Sequence, residues 1–431
     1  MATRFDENNR IMREDDYRAI LAGVGSGEAA ERSMDELAGL AEADGIQIIG
    51  QMLQPLERPV PATYIGSGKV RELAELCEAM EADICIFDDE LSGIQIRNLE
   101  EALDVRVIDR TVLILDIFAD RATSREGKLQ VELAQLRYRM PRLTGFGKKL
   151  SRLGGGIGTR GPGEKKLETD RRHIASRIDD IRKELKKAEK TRQIQRAERR
   201  RSGVPVVALM GYTNAGKSAV MNRILAEEDR ADQEVFSQDM LFATLDPRHR
   251  KISAAGGHPF ILIDTVGFVS KLPHHLVEAF KSTLEEARDA DLLIHVVDTA
   301  REDREFQMEV AEEVMDEICG TSAPRIMAYN KIDLVEEIPW DHGGREAVFI
   351  SAKTGENMDD LLEEIEKAIT GGSVDAVFLV PYDRGDVVSR LCETGQVEEM
   401  EYEDTGTILR GRFPEEEFAR YREFVMRKEE D

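Results

Sequence analysis

Eight consecutive residues could do phosphate chemistry: Gly211, Tyr212, Thr213, Asn214, Ala215, Gly216, Lys217 and Ser218. They fit G-x-x-x-x-G-K-[ST], in which loop N–H groups point at phosphates, the lysine reaches the β- and γ-phosphates and the hydroxyl holds Mg²⁺. Such a loop works only between a strand and a helix start, where orphan backbone donors and the helix dipole favour an anion. Both flanks are present. Val204 to Met210 is a short apolar run that reads as a buried strand, and Ala219 to Ala226 reads as a helix.

Three later segments say which nucleotide. Phe260-Ile-Leu-Ile-Asp264 is an apolar strand ending in a carboxylate that can order a Mg²⁺ shell. Thr265, Val266 and Gly267 follow it, and the Gly267 N–H can meet a γ-phosphate. After a strand at Arg325 to Tyr329 come Asn330, Lys331, Ile332 and Asp333. A carboxylate there takes the two adjacent N–H donors of guanine. Adenine would put a lone pair against it, an unpaired polar contact costing roughly 1–3 kcal/mol. Ser351, Ala352 and Lys353 end a third strand and can support the base. The order and spacing of these segments predict a guanine-nucleotide site with GTP or GDP and Mg²⁺ as ligands.

The rest of the chain must position that site. Its 431 residues suggest about three domains. No apolar run approaches about 20 residues, so no transmembrane helix is expected, and the polar start (Arg4, Asp6, Glu7, Arg10) does not read as a signal peptide. Cys77, Cys85, Cys319 and Cys392 are scattered without a CxxC pair, as in a cytoplasmic protein with reduced thiols. The chain is read as a monomer.

The net charge of −25 hides an asymmetry. Residues 121–201 hold 25 Lys/Arg against 10 Asp/Glu, leaving 35 basic and 75 acidic residues elsewhere. A basic block inside an acidic chain points to a directed polyanion contact, most simply nucleic acid. Within it, Leu129, Leu133, Leu136 and Met140 form one apolar seam, and Ile174, Ile178, Ile181, Leu185 and Ala188 form another. Two antiparallel helices packed along these seams make a hairpin. Pro141 would close the first helix, and Thr169 or Asp170 would cap the second. The tip, residues 143–167, is glycine-rich and carries Lys148, Lys149, Arg152, Arg160, Lys165 and Lys166. Glycine lets backbone approach a partner, and the cations attract phosphate.

Alternating strand and helix patterns over residues 17–108 predict a small N-terminal α/β domain with a parallel sheet. Gly66-Ser-Gly-Lys69 is not a second phosphate loop, since position 63 is Thr and no hydroxyl follows Lys69; it reads as a helix start. Past Gly371-Gly372, strands and two short helices predict a small acidic α+β domain. The expected architecture is therefore an N-terminal α/β domain over residues 1–120 and a long basic helical hairpin over 121–203. A P-loop domain with a mainly parallel sheet would occupy 204–370, and the C-terminal α+β domain 371–431.

Three segments carry a resemblance to a known family: Leu129-Gln-Val-Glu-Leu-Ala-Gln135, Gly154-Gly-Gly-Ile-Gly-Thr-Arg-Gly-Pro-Gly163 and Leu241-Phe-Ala-Thr-Leu-Asp246. The chain resembles the HflX family of GTPases over almost its full length. The resemblance implies a translational GTPase that binds the large ribosomal subunit and its RNA through residues Lys148–Arg172 and dissociates stalled or idle ribosomes. It also implies that Phe242, Ala243, Thr244, Leu245 and Asp246 form a switch, with Thr244 completing the Mg²⁺ shell and acting with Lys217 and Gly267 in hydrolysis. Arg248-His249 stands where small hydroxyl residues are expected, a departure that bears on the switch and not on nucleotide binding. Phe268 follows Gly267, where Ras-like enzymes place a water-orienting Gln, so intrinsic hydrolysis should be slow. Arg248 and Arg250 are the candidate arginine fingers in cis. Asn214 occupies the position that potassium-dependent relatives use to hold K⁺. Two other functions fit the residues: a GTP-gated RNA-binding or ribosome-assembly module, and a signalling GTPase with a protein partner.

Overall fold

A computed structural model describes residues 17–143, 162–202, 204–227, 242, 248–253, 259–272, 276, 287–319, 324–337, 347–370 and 373–426. It divides into two compact units, one formed by residues 1–252 and 259–358 and the other by 253–258 and 359–431.

The first unit begins with β1 (Arg18–Val24), α1 (Glu28–Ala43), β2 (Gln47–Gln54), α2 (Ser67–Ala79), β3 (Ile84–Phe87), α3 (Gly93–Leu103) and β4 (Arg106–Asp109). The strands form a parallel sheet in the order β2-β1-β3-β4. Strand crossovers through helices cover both faces, so β3 (Ile-Cys-Ile-Phe) is buried throughout. Alternate residues of β1 serve opposite faces. Ile20 and Ala22 join Val70, Leu73 and Leu99 of α2 and α3, while Ala19 and Leu21 join Met34 and Leu37 of α1. Ser92 caps α3 in a capping box with Gln95. Gly66 stands at the N-cap of α2, the helix start read from the sequence.

One helix goes unread in the sequence. Residues Arg110–Arg121 form helix α4, buried without interruption from Arg110 to Phe118. Asp109 caps it through Val112 N, and Arg110, Thr111 and Asp116 are buried among its apolar residues. It packs between the sheet, the next helix and the GTPase-like part. The same apolar cluster holds Leu113, Ile114 and Phe118 of α4 with Tyr212, Phe242 and Phe268.

The hairpin pairs α5 (Arg125–Arg142) with α6 (Pro162–Ser202). Leu133, Ile178 and Ile181 are buried in its seam, flanked by Leu129, Leu136, Met140, Ile174 and Leu185. Ion pairs Arg177–Glu132 (2.6 Å), Arg125–Glu184 (2.7 Å) and Arg192–Glu126 (2.8 Å) fix the antiparallel register. Two expectations shift. The first helix includes Pro141 and runs to Arg142. The second opens at Pro162, so Thr169 and Asp170 lie inside it rather than at its cap; proline suits the first turn because its missing N–H has no partner there anyway. The tip residues 144–161, with Lys148, Lys149, Arg152 and Arg160, lie outside the described residues.

A six-stranded sheet follows, in the order β10-β9-β8-β5-β7-β6. Its strands are β5 (Val206–Met210), β6 (Arg248–Ser253), β7 (Pro259–Asp264), β8 (Leu292–Asp298), β9 (Arg325–Asn330) and β10 (Ala347–Phe349). The pairs β5–β7, β5–β8, β8–β9 and β9–β10 are parallel. Helix α7 (Lys217–Glu227) follows β5, and α8 (Arg304–Cys319) connects β8 to β9.

In the second unit, α9 (Met358–Thr370) precedes β11 (Ser373–Val380), α10 (Gly385–Thr394), β12 (Gln396–Glu403), β13 (Gly406–Pro414) and α11 (Glu415–Arg420). The antiparallel order is β11-β13-β12. Its core is Phe378, Val380, Val387, Leu391, Leu409 and Phe413. Among the described residues no helix is long and apolar enough to cross a membrane.

Candidate functional site

Parallel α/β sheets present ligands at the carboxyl ends of strands, where the strand order reverses. In the six-stranded sheet that point is β5, flanked by β7 and β8. The turn from Gly211 to Gly216 leaves its carboxyl end and Lys217 opens α7. Lys217 is almost fully buried. Its Nζ donates to the carbonyls of Gly211 (3.0 Å) and Tyr212 (2.8 Å), which pins the ammonium under its own loop. Burial pushes this lysine down to about 8, and the nearby Asp264 carboxylate opposes that. A cation held partly against its own desolvation is a receptor for anionic oxygens.

Ser218 Oγ donates to Asp264 Oδ2 at 2.7 Å, with Asp264 fully buried at the end of β7. A serine hydroxyl and a carboxylate are hard oxygen donors, the set that suits Mg²⁺ when phosphates and water complete the shell. Among the described residues no group of three or more His, Cys, Asp or Glu could hold a metal by itself, so a divalent ion would depend on these oxygens and on its nucleotide. Thr265 turns its hydroxyl to the Leu209 carbonyl (2.7 Å), and Val266 is buried beside it. Gly267 lies directly over the phosphate loop. A Cβ there would stand 2.6 Å from Thr213 Cα and 3.0 Å from Lys217 Nζ, so only glycine fits.

The base-side loops converge on Asn330. Its Nδ2 donates to the Ala215 carbonyl (2.9 Å), and its Oδ1 accepts from Ala352 N (3.0 Å). One amide thus ties the phosphate loop to the loops after β9 and β10. Gly216 is the counterpart: a Cβ there would lie 2.2 Å from Asn330 Nδ2. Asp333 Oδ1 accepts from Ser351 Oγ at 2.7 Å, leaving the carboxylate oriented by a neighbour. Lys331 pairs with Asp298 (2.8 Å). Ile332 is buried, and Lys353 is exposed. Thr213, Asn214 and Lys331 line a cavity of about 970 Å³ whose other wall is α1, with Ser33 and Glu36. That size accommodates a drug-sized ligand.

Phe242 is buried, makes an edge contact with Phe118 of α4 (4.5 Å between ring centroids) and donates its N–H to Thr213 Oγ1 at 2.9 Å. Ala243, Thr244, Leu245 and Asp246 lie outside the described residues. Arg248 and Arg250 fall on the edge strand β6.

The structure adds residues that no local motif marks. Arg110, fully buried, pairs with Asp88 (2.5 Å) and Glu36 (2.6 Å). Burial alone would lower its pKa, but the two carboxylates raise it. Asp88 mirrors this: burial pushes it up, and Arg110 with Lys271 holds it below the usual carboxylate range. Tyr212, inside the phosphate loop, donates to Glu36, while its oxygen accepts from Ser270 N at 2.8 Å. Burial and the charge of Glu36 both push the Tyr212 phenol up. Asp88 and Arg110 sit at the carboxyl ends of β3 and β4, the one sequence clue that could have drawn attention to them.

Comparison with known proteins now decides the family. Residues 31–119 match the family described as "GTP-binding GTPase N-terminal" and 121–199 the "GTP-binding GTPase Middle Region". Residues 206–331 match the "50S ribosome-binding GTPase" and 341–421 the "HflX C-terminal domain". GTPase HflX of Caldanaerobacter subterraneus subsp. tengcongensis is 47% identical, over 96% of this chain and 94% of that protein. The chain belongs to the HflX family of GTPases. GTPase HflX of Lacrimispora saccharolytica is 44% identical over 95% of this chain and 96% of its own. GTPase HflX of Escherichia coli (strain K12) is 41% identical over 88% and 89%. As an HflX-family GTPase it binds GTP and GDP and hydrolyses GTP, on a P-loop fold.

Proposed function

We propose that this GTPase works on the large ribosomal subunit, which it grips through the basic hairpin, and that it dissociates stalled or idle ribosomes. The observation that carries this reading is the build of α5 and α6. Their apolar residues are spent in the mutual seam, while Arg171, Arg172, Arg177, Arg182, Lys183, Lys186, Lys187 and Lys190 face solvent. A two-helix arm with a cationic surface has no core of its own to protect and suits a polyanion. The family description "50S ribosome-binding GTPase" for residues 206–331 supports the same partner.

At the other end, the nucleotide lies along the loop from Gly211 to Ser218. Lys217 meets the β- and γ-phosphates, Gly267 N–H meets the γ-phosphate, and Asp333 reads guanine with Asn330, Ser351 and Ala352 at its side. Ser218 and Thr244 would hold Mg²⁺, with Asp264 ordering the shell, and the ion would supply positive charge to the phosphates. Asn214 would help hold K⁺ beside the same phosphates. Phe268 is 1% exposed and cannot orient water, so the group that completes catalysis comes with the ribosome.

The test is sedimentation with purified large subunits in GTP, GDP and a non-hydrolysable analogue, at several salt concentrations. Co-sedimentation that prefers the triphosphate and falls steeply with salt is expected, because released counterions drive it. Absence of binding in every nucleotide state would contradict the ribosomal reading, and salt-insensitive binding would remove the hairpin as the main contact.

A further inference from the structure

The structure assigns Glu36, in the N-terminal sheet domain, as a positioning residue of the GTPase site: we propose that its carboxylate sets the spacing between the phosphate loop and the loop after β7, and so the fit of the γ-phosphate. The inference rests on reading residues 211–218 and 267 as the phosphate site.

Four donors from three segments converge on this one carboxylate. Oε1 accepts from the Tyr212 hydroxyl and, at 3.3 Å, from Ser270 N. Oε2 accepts from the Ser270 hydroxyl and from Arg110 at 2.6 Å. Tyr212 belongs to the phosphate loop, and Ser270 follows Gly267 by three residues. The two loops also meet directly. Thr213 N donates to the Phe268 carbonyl (2.7 Å), and Phe268 N donates to the Gly211 carbonyl (3.2 Å). Gly267 is thereby pressed over Lys217 with no room for a side chain. The carboxylate spans both loops from outside the GTPase fold and is itself anchored by Arg110, whose second partner is Asp88.

A diphosphate needs only the first loop. The third phosphate is the group that touches both Lys217 and Gly267, so a change in their separation is felt by GTP and not by GDP. Simple structural support would act differently: it would weaken both nucleotides alike or lower the melting temperature without selecting between them.

The experiment measures affinity of the full chain for GDP and for a non-hydrolysable GTP analogue, together with basal kcat and KM, in Glu36→Gln and Tyr212→Phe. Glu36→Gln must turn an amide N–H₂ toward donors. It is expected to weaken the analogue roughly tenfold and lower basal kcat, with GDP affinity within about threefold of wild type. Tyr212→Phe removes one donor and leaves the Arg110–Glu36–Asp88 charges in place, so it folds even where the first variant does not. It should shift the same ratio in the same direction by about threefold. Equal weakening of both nucleotides, no change in the ratio, or tighter analogue binding would each overturn the assignment. GDP affinity left unchanged by Lys217→Ala would instead indict the phosphate-site reading.

Discussion

Two mainly parallel sheets lie in one unit of this protein, and they use the same kind of crevice in opposite ways. In both, the first strand is flanked by its neighbours on either side, β1 by β2 and β3, β5 by β7 and β8. That reversal opens a crevice at the carboxyl ends. In the GTPase sheet the crevice is left to a ligand: Lys217 is the buried cation, pushed down to about 8, with Ser218 and Asp264 beside it. In the N-terminal sheet it is filled by the chain itself. Arg110 lies against Asp88 and Glu36, and Lys271, from the loop after β7, also reaches Asp88. Topology makes the crevice; charge balance within it decides whether it receives a nucleotide or docks another part of the chain.

The comparison breaks first at Arg110. Removing the guanidinium leaves Glu36 without its cation and Asp88 with Lys271 alone, and breaking a buried pair this way costs about 3–5 kcal/mol. Arg110→Ala should therefore lower unfolding free energy by that amount in denaturant melts. A loss under about 1 kcal/mol would mean that the N-terminal crevice is open to water and available to a ligand.

Asp333 sharpens the other side. Asp333→Asn swaps an acceptor pair for one donor and one acceptor, so it should cost GTP roughly 1–3 kcal/mol and favour xanthine nucleotides. Titration with both nucleotides checks this; unchanged GTP affinity would move the base elsewhere.

The smallest effect is in pH. A bound phosphate keeps the Lys217 ammonium protonated, so its pKa in the complex lies above the free value of about 8. Binding then takes up a proton once the free lysine has lost it. Affinity is at its full value below pH 8 and falls as pH rises through it, by about tenfold from pH 7 to 9. Measured GDP affinity that stays flat over this range would place the lysine away from the phosphates.

How legible these features are in the sequence follows from how local they are. The phosphate loop, the Asp264–Gly267 segment and Asn330–Asp333 are contiguous strings at strand ends, and the structure brings all three together. The hairpin seams are equally readable because period 3.5 is a local signal, down to Leu133, Ile178 and Ile181. The start of α6 is misplaced, since Thr169 and Asp170 resemble caps but a proline seven residues earlier opens the helix. Helix α4 escapes because it follows β4 without a break, its N-cap Asp109 being the last residue of that strand, so no turn signal separates the two. The Glu36–Arg110–Asp88–Ser270 cluster escapes for another reason: its members lie up to 234 residues apart, and nothing short of the fold unites them.

The ribosomal reading stands or falls on GTP hydrolysis with and without purified large subunits, at matched ionic strength, for the wild type and for the variant with Lys148, Lys149, Arg152 and Arg160 all changed to Ala. Phe268 puts no water-orienting amide after Gly267. The account therefore predicts slow phosphate release alone and acceleration of about 10³-fold or more by the subunit, the scale of a supplied catalytic group. The four-residue variant should lose that acceleration while binding GTP as tightly as before. Equal rates with and without subunits would contradict the account and favour a signalling GTPase with a protein partner.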